Sequence, residues 1–436
     1  MEVNMKNRLV LTGAIAVLLL CVVVPVSAND CLTDKCHGEF KKFKVLHSPV
    51  EDDCTTCHQQ TGKHTFAKPE GSVKDMCYMC HDDKESGKYL HGALNMKDCL
   101  FCHNPHGGNS KALMRTKRMD TLCFECHDKA DKTGKHIHGP NLSGNCAICH
   151  EPHSSNNATL LVAPAEELCV NCHTDKSFTE KGMHKHTALE EGCTGCHNPH
   201  ASAYEYQLVK PGSEICGNCH DDITEAAAKA TVKHPALTSG NKCLNCHDAH
   251  GSPYENNLKK DQMSLCLSCH DKPIIGTDGK DYNIAKILRD NPEQHGPVLE
   301  GNCAGCHNPH GSDHYKLLIA AFPEKFYTQF AEAKYALCFQ CHEAALVEKA
   351  ETTVQTNFRN GKENLHYFHV NRKKGRTCRA CHMIHASKLP NHIREETPFG
   401  KWDIPIEFTK TKTGGSCSPG CHKPYKYDRI NPEPLQ

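Results

Sequence analysis

Pairs of cysteines followed directly by a histidine recur along this chain, and they could attach a redox cofactor to it. The pattern Cys-x-x-Cys-His occurs thirteen times, and longer versions at residues 31–37 and 417–422 bring the count to fifteen. Two thiols at this spacing form thioether bonds to the vinyl groups of haem, and the adjacent histidine reaches the iron as proximal ligand. The motifs therefore predict about fifteen molecules of haem c.

The thirty motif cysteines are the predicted attachment sites, and the histidines after them are the predicted proximal iron ligands. The cysteine pairs are Cys31 and Cys36, Cys54 and Cys57, Cys77 and Cys80, Cys99 and Cys102, Cys123 and Cys126, Cys146 and Cys149, Cys169 and Cys172, Cys193 and Cys196, Cys216 and Cys219, Cys243 and Cys246, Cys266 and Cys269, Cys303 and Cys306, Cys338 and Cys341, Cys378 and Cys381, and Cys417 and Cys421. The proximal histidines are His37, His58, His81, His103, His127, His150, His173, His197, His220, His247, His270, His307, His342, His382 and His422.

Disulfides and zinc are the other common uses of so many cysteines. The chain has 31 cysteines, and the one outside the motifs, Cys21, lies in an apolar N-terminal segment. Neither a disulfide framework nor a tetrahedral zinc site needs a histidine directly after every second cysteine. The series therefore favours haem, and small disulfides stay an alternative for Cys31/Cys36 and Cys417/Cys421.

The remaining histidines are numerous enough to give every haem a second axial ligand. The chain has 34 histidines, which leaves nineteen after the fifteen proximal ones. Most recur with the motifs, which makes ligation more plausible than a surface role. The distal candidates are His47, His64, His91, His106, His138, His153, His186, His200, His234, His250, His295, His310, His369, His385 and His392. Alternatives are His136 for His138, His184 for His186, His366 for His369 and His314 for His392.

Several distal candidates belong to a His-x-Pro-His sequence, as in residues 103–106. The second histidine is three residues from the proximal one, so it cannot reach the opposite face of the same planar macrocycle. We expect it to bind a neighbouring haem, that of its partner motif in the same two-haem unit. Two histidines leave the iron low-spin with no open position, and they give a lower potential than histidine with methionine. The pattern therefore favours an electron conductor and no catalytic residue.

The motifs recur with a fixed period. Cys77, Cys123, Cys169 and Cys216 lie 46, 46 and 47 residues apart, which is typical of an array whose units pack mainly on their neighbours. We count seven two-haem units and one terminal motif. Regular units occupy residues 29–270, and longer units with insertions, followed by the terminal motif, occupy residues 271–436.

Composition predicts a fold in which haem replaces the usual apolar core. The chain has one tryptophan, and only 6% of its residues are aromatic. Stacked porphyrin faces would supply the buried apolar surface instead. We expect an elongated array of two-haem repeats, mostly coil with short α-helices and very little β-structure. Residues 325–337 are predicted to be helical, and residues 401–408 to form an edge strand.

Residues 1–28 have the features of a signal peptide. Lys6 and Arg8 precede an apolar run from Leu9 to Val24, and small residues lie at Val26 and Ala28. A membrane anchor is the alternative, because the run is nearly long enough to span a bilayer. We expect an exported protein without a membrane span after cleavage, located in the periplasm or at the cell surface.

The formal charge of the chain changes once haem is counted. The sequence balances 51 Lys and Arg against 51 Asp and Glu, whereas two propionates and one ferric porphyrin per haem would make the oxidised holoprotein about fifteen units more negative. Lys41-Lys42 could act as propionate counterions, and Arg372-Lys373-Lys374 either as counterions or as a docking patch for an acidic redox partner. These short runs do not indicate nucleic-acid binding.

The paired motifs, the His-x-Pro-His sequences and the C-terminal Gly414-Gly415-Ser416-Cys417 segment resemble the doubled Cys-x-x-Cys-His multihaem cytochromes c. This family is common in bacteria that respire metals and other external acceptors, and the resemblance covers essentially the whole mature chain. It implies electron transfer through bis-histidine haems in extracytoplasmic respiration, with other cytochromes or an outer-membrane porin conduit as partners.

Two other functions fit parts of the pattern. A multihaem oxidoreductase would need one open haem, which the insertions of the C-terminal third could accommodate, although no Cys-x-x-Cys-Lys motif is present. A structural haem filament would need ligands donated between subunits.

Overall fold

Short elements joined by coil make up the chain. The computed structural model describes residues 31–62, 64–67, 71–96, 98–129, 133–275 and 281–434, and the predicted signal peptide at residues 1–28 lies outside them. Within these ranges the longest helix has nine residues and the longest strands have four. The prediction of a mostly coil fold with short helices and little β-structure is confirmed.

Five of the α-helices described here end at the first cysteine of a haem motif or one residue after it. A capping box at Ser72 begins the second helix, and its last turn contains the motif residue Cys77. The helices are α1 Ser48–Asp52, α2 Val73–Tyr78, α3 Gly92–Met96, α4 Met119–Cys123, α5 Gly139–Ser143, α6 Ala165–Val170, α7 Gly212–Cys216, α8 Asp221–Lys229, α9 Gln262–Leu267, α10 Ile284–Asp290, α11 Gly296–Leu299, α12 Ala345–Glu348 and α13 Leu365–Val370.

Single 3-10 turns form two recurring features, at a motif or in the loop that follows it. Those at a motif are Cys54–Thr56, Cys99–Phe101, Cys146–Ile148, Cys193–Gly195, Lys242–Asn245, Cys303–Gly305, Cys338–Gln340 and Cys378–Ala380. Those in a loop after a motif are Ala158–Leu160, Glu205–Gln207, Glu255–Asn257, Tyr315–Leu317 and Pro390–His392. The others are Gly38–Lys42, Thr174–Lys176, Thr187–Glu191, Pro235–Leu237 and Glu332–Tyr335.

The strands are too short to bury a sheet face. They are β1 Val45–Leu46, β2 Gln60–Gly62, β3 Thr65–Phe66, β4 Tyr89–Leu90, β5 Gly107–Gly108, β6 His136–Ile137, β7 Ser154–Ser155, β8 His184–Lys185, β9 Ala201–Ser202, β10 Gly251–Ser252, β11 Ile274–Ile275, β12 Asp281–Tyr282, β13 Glu293–Gln294, β14 Arg359–Asn360, β15 Glu363–Asn364, β16 Ala386–Ser387, β17 Glu396–Phe399, β18 Trp402–Pro405, β19 Thr409–Lys410, β20 Gly414–Cys417 and β21 Tyr425–Asp428.

Strand pairing links segments that are far apart in sequence. The antiparallel pairs β1–β5, β4–β7, β6–β9, β8–β10 and β13–β16 join different repeats, and β19, β20 and β21 form a three-stranded sheet. Two compact units contain these elements, Met1–Leu168 with Pro199–Ala203, and Cys169–Asn198 with Tyr204–Gln436. The division at residue 270, drawn from repeat length, stays a prediction about the sequence repeats.

The insertions differ in how well the sequence predicted them. The predicted strand at residues 401–408 is confirmed as β18, which pairs with β17 and has Pro405 in its last position. The predicted helix at residues 325–337 is wrong, because only Glu332–Tyr335 forms a 3-10 turn. The amide of Thr328 donates to the Gly375 carbonyl at 2.8 Å, and the amide of Thr377 donates to the Phe326 carbonyl at 3.1 Å. The segment therefore satisfies its backbone groups across a ladder rather than within a helix.

The main apolar cluster of the described residues lies in the second unit. Tyr335, Val347 and Val370 are buried, and Phe322, Phe330, Phe339 and Leu346 pack against them. The ring of Tyr335 is completely buried and lies 5.7 Å from that of Phe330. Conventional packing is therefore concentrated in one place, as expected for a chain whose remaining buried surface would come from haem.

Replacing Tyr335 should destabilise this cluster. Tyr335→Ala removes a fully buried ring and should lower the free energy of unfolding of the holoprotein by about 3–5 kcal/mol, as for other buried aromatic truncations. The midpoint of urea denaturation measures the effect. Tyr335→Phe keeps the ring and serves as control, and equal midpoints for the two variants would contradict the packing role.

Candidate haem-ligand network

Each motif closes into one turn through its backbone. The amide of His58 donates to the carbonyl of Cys54 at 3.0 Å, and the same bond recurs in the twelve other Cys-x-x-Cys-His motifs. In the longer first motif the amide of His37 still donates to the carbonyl of Cys31, at 3.1 Å, so the extra residues are absorbed inside the turn. The last motif differs, because Cys417 ends strand β20. All thirty motif cysteines are free thiols within the described residues.

Proximal and distal candidate histidines lie in pairs with their ring centroids 5.9–6.4 Å apart. Two imidazoles on opposite sides of one metal ion need about 6 Å, given ~2 Å for each nitrogen–metal bond and the radius of each ring. The pairs of the first unit are His47–His81, His58–His106, His91–His127, His103–His153 and His150–His200. Those of the second unit are His186–His220, His197–His250, His234–His270, His247–His310, His295–His342, His307–His385, His366–His382 and His369–His422.

The pairs do not follow the two-haem units as expected. A histidine after the second motif of a unit faces the second motif of the preceding unit, as His106 faces His58. A histidine between the two motifs of a unit faces the first motif of the next unit, as His47 faces His81. The expectation that His106 faces its unit partner is therefore wrong, although it does face a neighbouring motif. Sequence spacing alone could not distinguish a partner in the same unit from one in a neighbouring unit, because every unit contains equivalent histidines.

Backbone pairing joins the two kinds of distal candidate. Strand β1 ends just before His47, strand β5 begins just after His106, and the His47 amide donates to the His106 carbonyl at 3.1 Å. We call such a backbone-linked set of two distal histidines a distal clamp. The six clamps are His47/His106, His91/His153, His138/His200, His186/His250, His234/His310 and His295/His385, with the His234/His310 clamp closed two residues further out by Val232 and Ser312.

Prolines of the His-x-Pro-His sequences also position the clamps. The ring Nδ1 of His47 donates to the Pro105 carbonyl at 2.8 Å, and His138 and His234 make the same bond to Pro199 and Pro309. A proton held on Nδ1 leaves Nε2 free to bind a metal ion. In these three clamps one imidazole therefore has an orientation and a tautomer that suit iron ligation.

The proximal histidines of the second motifs are fixed in a similar way. His103 Nδ1 donates to the carbonyl of Ala112 at 2.7 Å, nine residues further on. The same nine-residue bond occurs at His150, His197, His247, His307 and His382. The turn that supplies the carbonyl contains residues with left-handed backbone angles, such as Thr159 at φ 54° and Leu160 at φ 59°. Such angles are costly outside glycine, so the recurrence indicates a functional constraint.

Thiols of adjacent motifs approach one another inside each two-haem unit. Burial and the neighbouring Cys99 thiol raise the pKa of Cys77 to about 11, and burial with Cys146 does the same for Cys123. The thiols of Cys31 and Cys54 are neighbours in the same way. Successive motifs are therefore linked alternately by neighbouring thiols and by a distal clamp.

The last two motifs face histidines that both belong to helix α13. His366 faces His382, and His369, three residues later, faces His422. The fully buried Asn364 caps this helix through its bond from the Tyr367 amide at 3.2 Å. Burial lowers the pKa of His366 to about 3, which keeps its ring neutral at pH 7 as iron ligation requires. From the sequence, His366 and His369 were alternatives, whereas in the structure each of them faces a proximal histidine.

Other distal candidates lie elsewhere. His392 does not face His422, because its ring lies edge-on to His295 at 5.5 Å and its Nδ1 donates to the Glu293 carbonyl at 3.1 Å. His64 is exposed in the turn between β2 and β3, with φ 62°, and faces no histidine of the described residues. His136 and His184 belong to strands β6 and β8, next to the clamp members.

The described residues contain neither a zinc-type cluster nor a membrane-spanning helix. No group of three or more His, Cys, Asp or Glu side chains there is arranged to hold a metal ion, as a tetrahedral zinc site would require. No helix in these ranges has the length and apolar character to cross a bilayer.

Comparison with known proteins identifies the class. Six segments match the family model described as the doubled CXXCH motif, at residues 47–86, 91–132, 138–178, 186–225, 234–274 and 295–346, which together are more than half of the chain. The chain belongs to this family of multihaem c-type cytochromes, and its six doublets correspond to about twelve c-type haems. It is also similar to the multiheme cytochrome MtrA of Shewanella baltica (strain OS185), with 26% identity over 99 residues. That match covers 21% of this chain and 30% of the relative.

The matched doublets are offset by one motif from the two-haem units counted above. Each begins at or next to a distal histidine, as the first does at His47, and each encloses the two motifs that one clamp faces. In the first doublet these are the motifs of His58 and His81. The family repeat thus corresponds to the two haem motifs that one clamp faces, together with the first histidine of that clamp.

Strand β20 gives a test of the last site. In Gly414→Ala the new Cβ would meet the backbone carbonyl of Tyr427 on β21, so β20 should leave the sheet and displace Cys417. We expect the intact mass of the exported protein to fall by one haem. In the control, Gly212→Ala, the Cβ meets no atom within 4 Å. An unchanged haem number in Gly414→Ala would show that this sheet does not position the last motif.

Proposed function

We propose that the protein carries about fifteen haems, nearly all with two histidine ligands, and conducts electrons in extracytoplasmic respiration. The observation that carries this proposal is the set of proximal and distal imidazole pairs at the spacing of two ligands of one iron. The thirty motif cysteines would attach the haems, the fifteen motif histidines would be proximal ligands, and the facing histidines would be distal ligands. Two neutral imidazoles leave the iron no position for a substrate, so the chemistry is electron exchange.

Continuity supports conduction rather than storage at isolated sites. Within each unit of the fold, neighbouring thiols connect one motif to the next, and a distal clamp connects that motif to the following one. Because thioether bonds hold a haem edge at its cysteines, neighbouring thiols imply neighbouring haem edges. A clamp holds two irons through a single backbone hydrogen bond and therefore fixes their separation.

The ligand environment supports a low reduction potential. Hydrogen bonds from Nδ1 to carbonyls, as at His103 and His47, increase the basicity of the ligand and stabilise ferric iron. The absence of a repeating methionine points the same way. Such haems suit electron transfer among donors and acceptors that operate at low potential.

Export and partners follow from the sequence features and the relative. The N-terminal segment predicts export to the periplasm, with the cell surface as a further possibility. The similarity to a multiheme cytochrome supports other cytochromes as redox partners, and an outer-membrane porin conduit is the partner we propose for transfer beyond the periplasm. Arg372-Lys373-Lys374 is a candidate docking patch for an acidic partner.

Removing one distal histidine should open one haem. In His153→Ala the iron at His103 loses its facing imidazole, so the reduced variant should bind one more equivalent of CO than the wild type and gain one high-spin ferric haem. His184→Ala is the matched control, because His184 belongs to strand β8 and does not face a proximal histidine in the described residues. Equal CO binding in His153→Ala and the wild type would contradict the proposed ligation.

A further inference from the structure

The first motif has different neighbours from the others. The ring of His37 lies 5.8 Å from that of Phe40, and Phe40 in turn stacks on His106 at 4.4 Å. His106 already faces His58. The ring next to His37 therefore belongs to a phenylalanine, which cannot bind iron, and the histidine beyond it is the partner of another motif.

The described residues supply no other histidine to this motif. All 34 histidines lie within the described ranges. His138 belongs to the clamp with His200, and the repeat assigns it to the motif of His173, as His91 faces His127. The other five histidines that are neither proximal nor paired are placed by the elements that contain them. His64 is in the exposed turn between β2 and β3, and His392 lies against His295. His136 and His184 belong to strands β6 and β8, and His314 lies next to the loop turn Tyr315–Leu317.

The side chain of His37 is open to solvent. It is 55% exposed, and its Nδ1 lies 3.6 Å from the carboxylate of Glu39. A haem held by Cys31, Cys36 and His37 would therefore lie where solvent reaches the residues around it.

We propose that the sixth position of this first haem is not filled by a histidine of the chain and binds a small exogenous ligand. This inference rests on the proposed haem attachment, and it makes the first haem the place where an external ligand can bind. Water would occupy the position at rest, and CO would replace it on ferrous iron without any change in oxidation state. The open haem therefore lies at the first motif, whereas the sequence had suggested the C-terminal third, where His382 and His422 both face imidazoles.

A neighbouring bis-histidine site gives the open haem a source of electrons. Phe40 contacts the ring of His106, and the thiols of Cys31 and Cys54 are neighbours. The His58 haem would therefore be the redox partner of the first haem. A ligand bound at the first haem would receive or supply electrons through that site.

The test titrates the reduced, intact holoprotein with CO and records the EPR spectrum of the oxidised form. We expect one equivalent of CO per chain and a high-spin signal from one haem. In the double variant Cys31→Ala/Cys36→Ala, the CO binding and the high-spin signal should both disappear, together with the mass of one haem. His106→Ala opens the His58 haem and should raise CO binding to two equivalents, which shows that the assay detects an open site.

Other outcomes overturn the inference and leave the proposed function standing. Wild-type protein with fifteen haems that takes up electrons but binds no CO would show that the first haem has an internal ligand. His64→Ala distinguishes the source, because CO binding that appears only in this variant would identify His64 as that ligand. One equivalent of CO retained in Cys31→Ala/Cys36→Ala would place the open haem elsewhere. A mass of fourteen haems with a Cys31–Cys36 disulfide would also overturn it.

Discussion

The structure depends on one constraint, that the two imidazoles of a pair come from different two-haem units in every pair described above except His366–His382. His47 faces His81 across 34 residues of chain, and His307 faces His385 across 78. An iron between each pair would cross-link the chain as a disulfide does, with a stabilisation that depends only weakly on loop length. Thirteen such cross-links explain how a chain with few buried apolar side chains can hold one conformation.

The distal clamps turn these individual links into an array. A clamp joins two ligands by a backbone hydrogen bond, so an iron on one side and an iron on the other share a rigid element of only a few residues. Little relaxation of the protein would then accompany the arrival of an electron, since the Nδ1 atoms of ligands such as His47 and His103 donate to backbone carbonyls that fix their rings. The same short strands therefore serve the fold and its proposed conduction.

The sequence predicted local features well and the pairing of the histidines poorly. Motif spacing is a local property, so the turns that hold His58 and Cys54 could be expected from it, and so could the recurrence of a second histidine such as His106. Which motif His106 faces is not local, because a repeating chain offers equivalent partners one unit earlier or later. The match to the doubled-motif family groups His47 with the His81 motif that it faces, but it places His106 and His58 in different segments.

The two insertions at residues 401–408 and 325–337 also differ in whether their pairing partners are close in sequence. Alternation in residues 401–408 predicted β18 because its hairpin partner is adjacent in sequence. Residues 325–337 have helix-forming composition, but their backbone pairs with residues 375–377. The side chains of Phe330 and Tyr335 pack in the aromatic cluster. The roles of His366 and His369 were also unresolved by spacing, since a pair three residues apart on one helix can serve two irons only if both irons lie beside that helix.

Near-infrared magnetic circular dichroism of the fully oxidised protein tests the central claim most directly, because its charge-transfer bands identify the axial ligands of low-spin haem. We expect a bis-histidine band whose intensity corresponds to all but one of about fifteen haems, together with one high-spin haem. A band of histidine–methionine ligation, or high-spin intensity from several haems, would contradict the pairing of imidazoles on which the whole account depends.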